Sequence, residues 1–150
     1  MSLKKYTDIS VLAAAKERVS YAFDNFERLY VSFSGGKDSS VMLHLVMQEA
    51  IKRNRIVGLL IIDLEAQYSH TIEHLHDMIE LYKSHIDLHW LCLPLLLRNA
   101  VTVYEPRWIC WDPAKKDIWV REIPKKAISD PKQAPDHLPE MEFEELIITF

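Results

Sequence analysis

The sequence predicts an α/β fold, a three-layer sandwich built on a parallel twisted sheet, and three observations carry that prediction. Helical and strand-like patterns alternate from Ile9 to Leu93, the signature of β-α-β units with right-handed crossovers. Residues 56–62 form an almost unbroken apolar run, as in a strand covered on both faces. Two of the chain's three glycines, Gly35 and Gly36, stand together between a predicted strand and a predicted helix.

Taken in order, residues 9–26 place Leu12, Ala15, Val19, Ala22 or Phe23, and Phe26 at three- and four-residue spacing, which predicts an amphipathic helix. Asp8 is its expected cap, and Asn25 stands near its end. Residues 29–33 are aromatic and β-branched and read as the first strand. Residues 39–52 carry Val41, Met42, Leu45, Val46 and Ala50 on a helical face, with Arg53-Asn54 closing it. The second strand spans 56–62. Ile72, Leu75, Met78 or Ile79, and Tyr82 mark the next helix, and 88–93 the third strand. Beyond Pro94 the pattern changes. Trp108 to Trp111 and Ile118 to Val120 flank Asp112-Pro113, a turn opener, so a hairpin is expected over 108–120. Pro124, Pro131, Pro135 and Pro139 break up the tail. The chain thus reads as a single domain with a core over 9–97 and a Trp-rich hairpin and Pro-rich tail over 98–150. No internal repeat and no low-complexity tract interrupts it.

Composition narrows the function. A chain of 150 residues with 49% hydrophobic residues builds one real core. Eighteen Lys and Arg stand against 22 Asp and Glu, a net charge of −4, so no global basic field recruits nucleic acid or anionic membrane. The two cysteines, Cys92 and Cys110, form no CxxC pair, which excludes a disulfide scaffold and a Cys-rich zinc module and fits a reducing compartment. No signal-peptide core and no membrane-length apolar run is present, and a cytoplasmic location without membrane contact is expected. Residues 98–132 hold eight basic and five acidic side chains, whereas 133–150 hold five acidic and no Lys or Arg; the two segments are expected to pair.

The motif that carries chemistry is Ser34-Gly35-Gly36-Lys37-Asp38-Ser39. Glycine frees the backbone and lets a ligand approach it. The helix that follows offers unpaired N–H groups and the positive end of its dipole, a site suited to phosphate. Ser34 and Ser39 add hydroxyls and Lys37 a positive charge. Asp38 fits if a divalent cation accompanies the phosphates, or as a helix cap. The plain alternative is a tight turn with a Ser/Asp cap. The loop is neither a Walker A motif, because Asp38 separates Lys37 from Ser39, nor the GxGxxG dinucleotide fingerprint.

This loop resembles the PP-loop of the adenine-nucleotide α-hydrolase-like (HUP-type) superfamily, which includes N-type ATP pyrophosphatases, ATP sulfurylases and phosphoadenosine phosphosulfate (PAPS) reductases. The stretch Asp63-Leu64-Glu65-Ala66-Gln67-Tyr68-Ser69-His70-Thr71 is similar to the D-T-G-x-x-F-P-E-T of the sulfonucleotide enzymes, keeping Asp63, the aromatic Tyr68 and Thr71 and departing at Leu64, Glu65 and His70. Pro94-Leu95, Arg98 to Val101, Cys110 to Pro113 and Trp119 to Arg121 resemble the IbrA-like branch, prophage transcriptional co-activators that act beside a ParB/sulfiredoxin-like partner. The resemblance implies strand order 3-2-1 for the visible sheet, with the first strand at the switch point. It implies ATP or a PAPS-like nucleotide held by Ser34, Gly35, Gly36, Lys37, Asp38, Ser39 and Asp63, with Mg²⁺ near Asp38, Lys37 and Asp38 catalytic, and attack at the α-phosphate. The E-C-G-x-H cysteine motif of PAPS reductases is absent from these 150 residues, which argues against a complete reductase. The family's sheet has further strands, so the chain reads as an N-terminal piece or as a short version completed by a partner.

Other constellations have plainer readings. His70, His74 and His76, with Glu73 and Asp77, could hold a metal, but a polar helix face is the commoner explanation. Trp108, Trp111 and Trp119 beside Lys115, Lys116, Arg121, Lys125 and Lys126 could stack nucleic acid; tryptophans packed onto the domain are favoured. Two functions remain: a PP-loop enzyme, and a regulator that retains the nucleotide site. A bare buried-type edge invites pairing. The side of the sheet beyond 29–33 is therefore expected to be covered by the 108–120 hairpin, by the tail 141–150 or by a second copy of the chain.

Overall fold

The computed structural model describes residues 8–134 together with 137, 138, 141, 142, 145 and 146. Its elements in chain order are α1 (Val11–Asn25), β1 (Tyr30–Ser32), α2 (Lys37–Lys52), β2 (Val57–Ile62), α3 (Ser69–Tyr82), β3 (Ile86–Leu91), β4 (Leu95–Arg98) and β5 (Arg107–Cys110), followed by short 3-10 turns at Pro113–Ile118 and Pro131–Gln133. The strands β1, β2 and β3 form one sheet in that order, all parallel, with Val31 opposite Leu59 and Leu59 opposite Leu88. This is the expected α/β fold and the expected 3-2-1 order.

The second strand is central, and its sequence says why. Val57, Leu59, Leu60 and Ile61 are all buried, so both faces of β2 are covered. Leu43, Met47 and Ala50 of α2 and Leu75 of α3 close over the sheet with Phe33 and Trp90. The two crossover helices touch each other: Ser40 bonds His74, and His44 bonds Tyr82. They therefore share one face, as right-handed crossovers running in one direction require.

Several boundaries and caps differ from the sequence reading. Ser10, not Asp8, caps α1, its hydroxyl accepting from Ala13 N–H at 3.2 Å. At the third strand, pairing starts two residues early, because His85 O already takes the N–H of Val57. It also ends early: Cys92 N–H turns to Ile128 O at 2.9 Å, so Ile128 rather than β2 accompanies the chain past Leu91. The hairpin is also elsewhere. Residues Leu95–Arg98 pair antiparallel with Arg107–Cys110, whereas Asp112 caps a 3-10 turn through Ala114 N–H, the Asp-Pro signal opening a helical turn instead of a β-turn. The expected segment boundary at 97/98 falls inside β4.

Among the described residues, neither the 108–120 segment nor the start of the tail supplies the cover expected over β1. Trp111 and Trp119 sit at the C-terminal end of β2, where Trp111 Nε1 donates to Asp63 O at 2.7 Å. Met141 O accepts from Leu96 N–H, which puts the start of the tail beside β4. Residues 143, 144 and 147–150 lie outside the described residues. Among the described residues no strand pairs with β1 on the side away from β2. Among the described residues, which include Glu142 and Glu145 of the tail, no ion pair joins 98–132 to the acidic segment.

Arg53 and Arg55 fasten α1 to the end of α2. Arg55 Nη1 donates to Phe23 O at 2.7 Å and Nη2 to Phe26 O at 2.9 Å, satisfying carbonyls at the end of α1. Arg53 binds Asp24, Glu49 and the Ser20 hydroxyl. Its hydrogen bonds hold both carboxyls below their ordinary values of 3.8 and 4.5. A lowered folded-state pKa adds stability that is complete above the ordinary value and is lost as pH falls through the lowered one. Arg53→Met is therefore expected to destabilise the fold at neutral pH and to flatten the loss of stability below about pH 4.5. Urea unfolding at neutral pH and at a series of acid pH values measures this; identical acid limbs for the two proteins would contradict it.

Candidate functional site

Phe33 makes the last ladder bond of β1, its N–H donating to Leu60 O at 2.8 Å. The chain then turns at once into α2, and only glycine allows the turn. Gly35 has φ +74°, in the left-handed region. A Cβ there would stand 2.9 Å from Thr71 Cγ2 and 3.1 Å from Leu75 Cδ2, so the loop lies directly against α3.

Gly36 is the N-cap of α2, and no side chain caps it. The N–H groups of Lys37, Asp38 and Ser39 thus start a helix with no intrahelical acceptor. The Gly36 carbonyl instead gathers donors: Ser40 N–H at 2.9 Å, Ser39 Oγ at 3.0 Å and Ser40 Oγ at 2.8 Å. Ser34 Oγ lies 3.0 Å from Ser39 Oγ and accepts weakly from Gly36 N–H. Lys37 and Asp38 project into solvent with side chains 90% and 91% exposed, Nζ and Oδ1 3.2 Å apart. Ser34, Gly35, Gly36, Lys37, Asp38 and Ser39 therefore share one exposed loop at the positive end of a 16-residue helix. Ser40 and His74 adjoin it; Ser40 escaped the sequence reading, and His74 entered it only as a candidate metal ligand. The signal for Ser40 was present, since a hydroxyl in a first helical turn can bond back to the carbonyl four residues earlier.

Asp63 is placed differently. It follows β2 directly, but it is fully buried. Its carboxylate accepts from Trp90 Nε1 at 2.8 Å, from Glu65 N–H at 2.9 Å and from Arg121. Both carboxylate oxygens are engaged by protein donors, so the side chain organises the floor beside the loop. Glu65, also buried, has φ +66°, the third place in the motif where the resembled enzymes have glycine. Its carboxylate accepts from Trp111 N–H at 2.6 Å and Val120 N–H at 3.4 Å, fixing the chain after β5. Arg121 stacks 4.9 Å above the Trp111 ring, and Trp119 meets that ring edge-on at 5.2 Å. The tryptophans that could have formed a stacking surface instead pack against the domain. Arg121, Glu65 and Trp90 were missed because nothing local marks them as partners of Asp63.

The remaining candidates separate. His70 pairs with Glu73 on the surface, His74 bonds Ser40, and the His76 ring lies 5.0 Å from that of Trp90. Among the described residues no three metal-ligating side chains gather. Cys92 and Cys110 are buried; burial pushes the Cys110 thiol up to about 12 and raises Cys92 further. Neither supplies a thiolate near neutral pH. No helix among the described residues is long and apolar enough to cross a membrane.

Residues 28–92 match the phosphoadenosine phosphosulfate reductase domain family. The match runs from β1 through β3 and contains both the glycine loop and Asp63. The chain is also 40% identical over 143 residues to the uncharacterized protein YbdN of Escherichia coli (strain K12), a similarity covering 95% of this chain and 35% of that protein. The chain thus spans about a third of that relative's length. The segment from β1 to β3 is thus similar to the PAPS reductase domain, which agrees with the parallel α/β fold; neither comparison bears on the IbrA-like branch.

Two expectations follow from the geometry. Gly35→Ala forces a side chain into the left-handed region and against α3, costing about 1–3 kcal/mol in chemical denaturation, and a cost near zero would refute the steric argument. Asp63→Ala leaves Arg121 without its buried partner and costs about 3–5 kcal/mol. Adding Arg121→Met should recover part of that loss; additive losses would show that the pair is not coupled.

Proposed function

We propose that the loop formed by Ser34, Gly35, Gly36, Lys37, Asp38 and Ser39 binds the phosphates of an adenine nucleotide, ATP or a PAPS-like sulfonucleotide. The uncapped start of α2 is the observation that carries this reading. The first-turn N–H groups of Lys37, Asp38 and Ser39 have no capping side chain there, and the same loop carries the Ser34 and Ser39 hydroxyls and an exposed Lys37. The glycines fit such a ligand, since Gly36 leaves the backbone open. Lys37 and the first-turn N–H groups would stabilise charge on a departing pyrophosphate after attack at the α-phosphate. Asp38, freely exposed, would meet a Mg²⁺ ion brought by the phosphates, and that ion would supply charge neutralisation. Asp63 contributes by holding the adjoining loop.

A second reading, binding without chemistry, draws on the cysteines. Both thiols are buried and raised, which disfavours sulfonucleotide reduction by this chain's own sulfurs. In that reading the nucleotide is a signal, and the chain acts with a second copy of itself or with a ParB/sulfiredoxin-like protein.

Calorimetry with ATP and Mg²⁺, and with a sulfonucleotide, tests both readings. Lys37→Ala is expected to weaken nucleotide binding by about 1.5–3 kcal/mol, the range for a hydrogen bond to a charged group. Unchanged affinity would remove Lys37 from the site. Release of pyrophosphate on incubation favours the enzyme, and binding without release favours the regulator.

A further inference from the structure

We infer that His74 is a positioning residue for the phosphate loop, acting through Ser40. The argument is a count of protons. The Ser40 hydroxyl lies 2.8 Å from Gly36 O and 2.8 Å from His74 Nε2. A hydroxyl has one proton to give. A carbonyl oxygen can only accept, so Ser40 donates to Gly36 O. His74 must then donate from Nε2, which assigns the ring a proton at that atom. A relay results, from imidazole N–H to hydroxyl to the carbonyl of the residue that starts α2.

That carbonyl is where the loop's orientation is decided. Directed along the helix and held by the Ser40 N–H and the hydroxyls of Ser39 and Ser40, it leaves the first-turn N–H groups on the opposite, N-terminal side. Released, it would present a partial negative charge to an anion. His74 is itself held in place, half-buried on α3 with its ring 5.9 Å from that of Phe33 in an edge contact. Thr71 and Leu75, on the same side of α3, touch the space beside Gly35. One helical face thus backs the whole turn, and His74 is its polar member. This accounts for a histidine whose spacing from His70 suggested a metal ligand.

The functional half of the inference rests on the phosphate reading; the relay itself does not. Inorganic pyrophosphate serves as the binding probe. His74→Leu is expected to weaken its binding roughly five- to tenfold, as loss of one hydrogen bond in the relay would, and His74→Gln, which keeps an N–H donor, to restore most of it. Ser40→Ala combined with His74→Leu should bind no more weakly than Ser40→Ala alone. Losses that multiply, or His74→Leu binding as tightly as the parent, overturn the role. The ¹⁵N shifts of the His74 ring in the unaltered protein give a reading independent of any ligand. A protonated Nε2 supports the relay, and a bare Nε2 refutes it even if His74→Leu fails to fold. Should the parent protein bind no pyrophosphate, the phosphate reading falls. The relay is then judged by the ring nitrogens and by the Gly36 amide resonance, which must move in His74→Leu.

Discussion

The fully buried carboxylate of Asp63 is the constraint around which the C-terminal half of the chain is organised. A buried charge is tolerated only when it is paired and hydrogen-bonded. Here the indole of Trp90 on β3, the backbone of Glu65 and the guanidinium of Arg121 share the task. Each partner comes from a different segment, so satisfying one carboxylate fixes the third strand, the loop after the second and the chain 58 residues downstream. Glu65 repeats the logic two residues on by holding the N–H groups of Trp111 and Val120. A left-handed backbone at Glu65 is unfavourable in isolation, and those bonds offset it.

The glycine loop follows the opposite logic. Its charged groups are exposed, and the Ser39 and Ser40 hydroxyls are turned on the loop's own carbonyl, leaving the N–H groups of Lys37, Asp38 and Ser39 uncapped. Helix α1 shows the ordinary alternative, a serine cap. One small domain thus holds a capped and an uncapped helix, and the uncapped one is the basis of the proposed phosphate site. Its shape is imposed from outside by α3, which denies Gly35 a side chain and holds Ser40 through His74. Loop and floor are therefore connected: α3 begins just after the segment that Asp63 anchors.

How much of this was legible depended on distance along the chain. The alternation of elements, the apolar second strand and the six loop residues could all be read, because periodicity and a strand–glycine–helix junction are local properties. Arg121 could not be matched to Asp63, nor Trp111 to Glu65, since a buried pair leaves no mark in the spacing of its members. The hairpin was misplaced because Asp112-Pro113 is compatible with a β-turn and with a capped 3-10 turn alike, and only the pairing of Leu95–Arg98 with Arg107–Cys110 separates them. The cysteines and histidines, ambiguous as residue types, took their meaning from burial and neighbours.

By itself, then, the sequence determined the α/β class, the order of the first six elements and the place of the glycine loop between β1 and α2, since these rest on hydrophobic period, strand propensity and glycine's unique backbone freedom. The tertiary structure alone decided that Asp63 faces inward, that Ser40 and His74 bond beside the loop, and that Trp111 and Trp119 pack against each other on the domain. Those outcomes are set by which polar groups must find partners once water is excluded, and partners 30 to 60 residues away are chosen by the packing of the sheet and its helices.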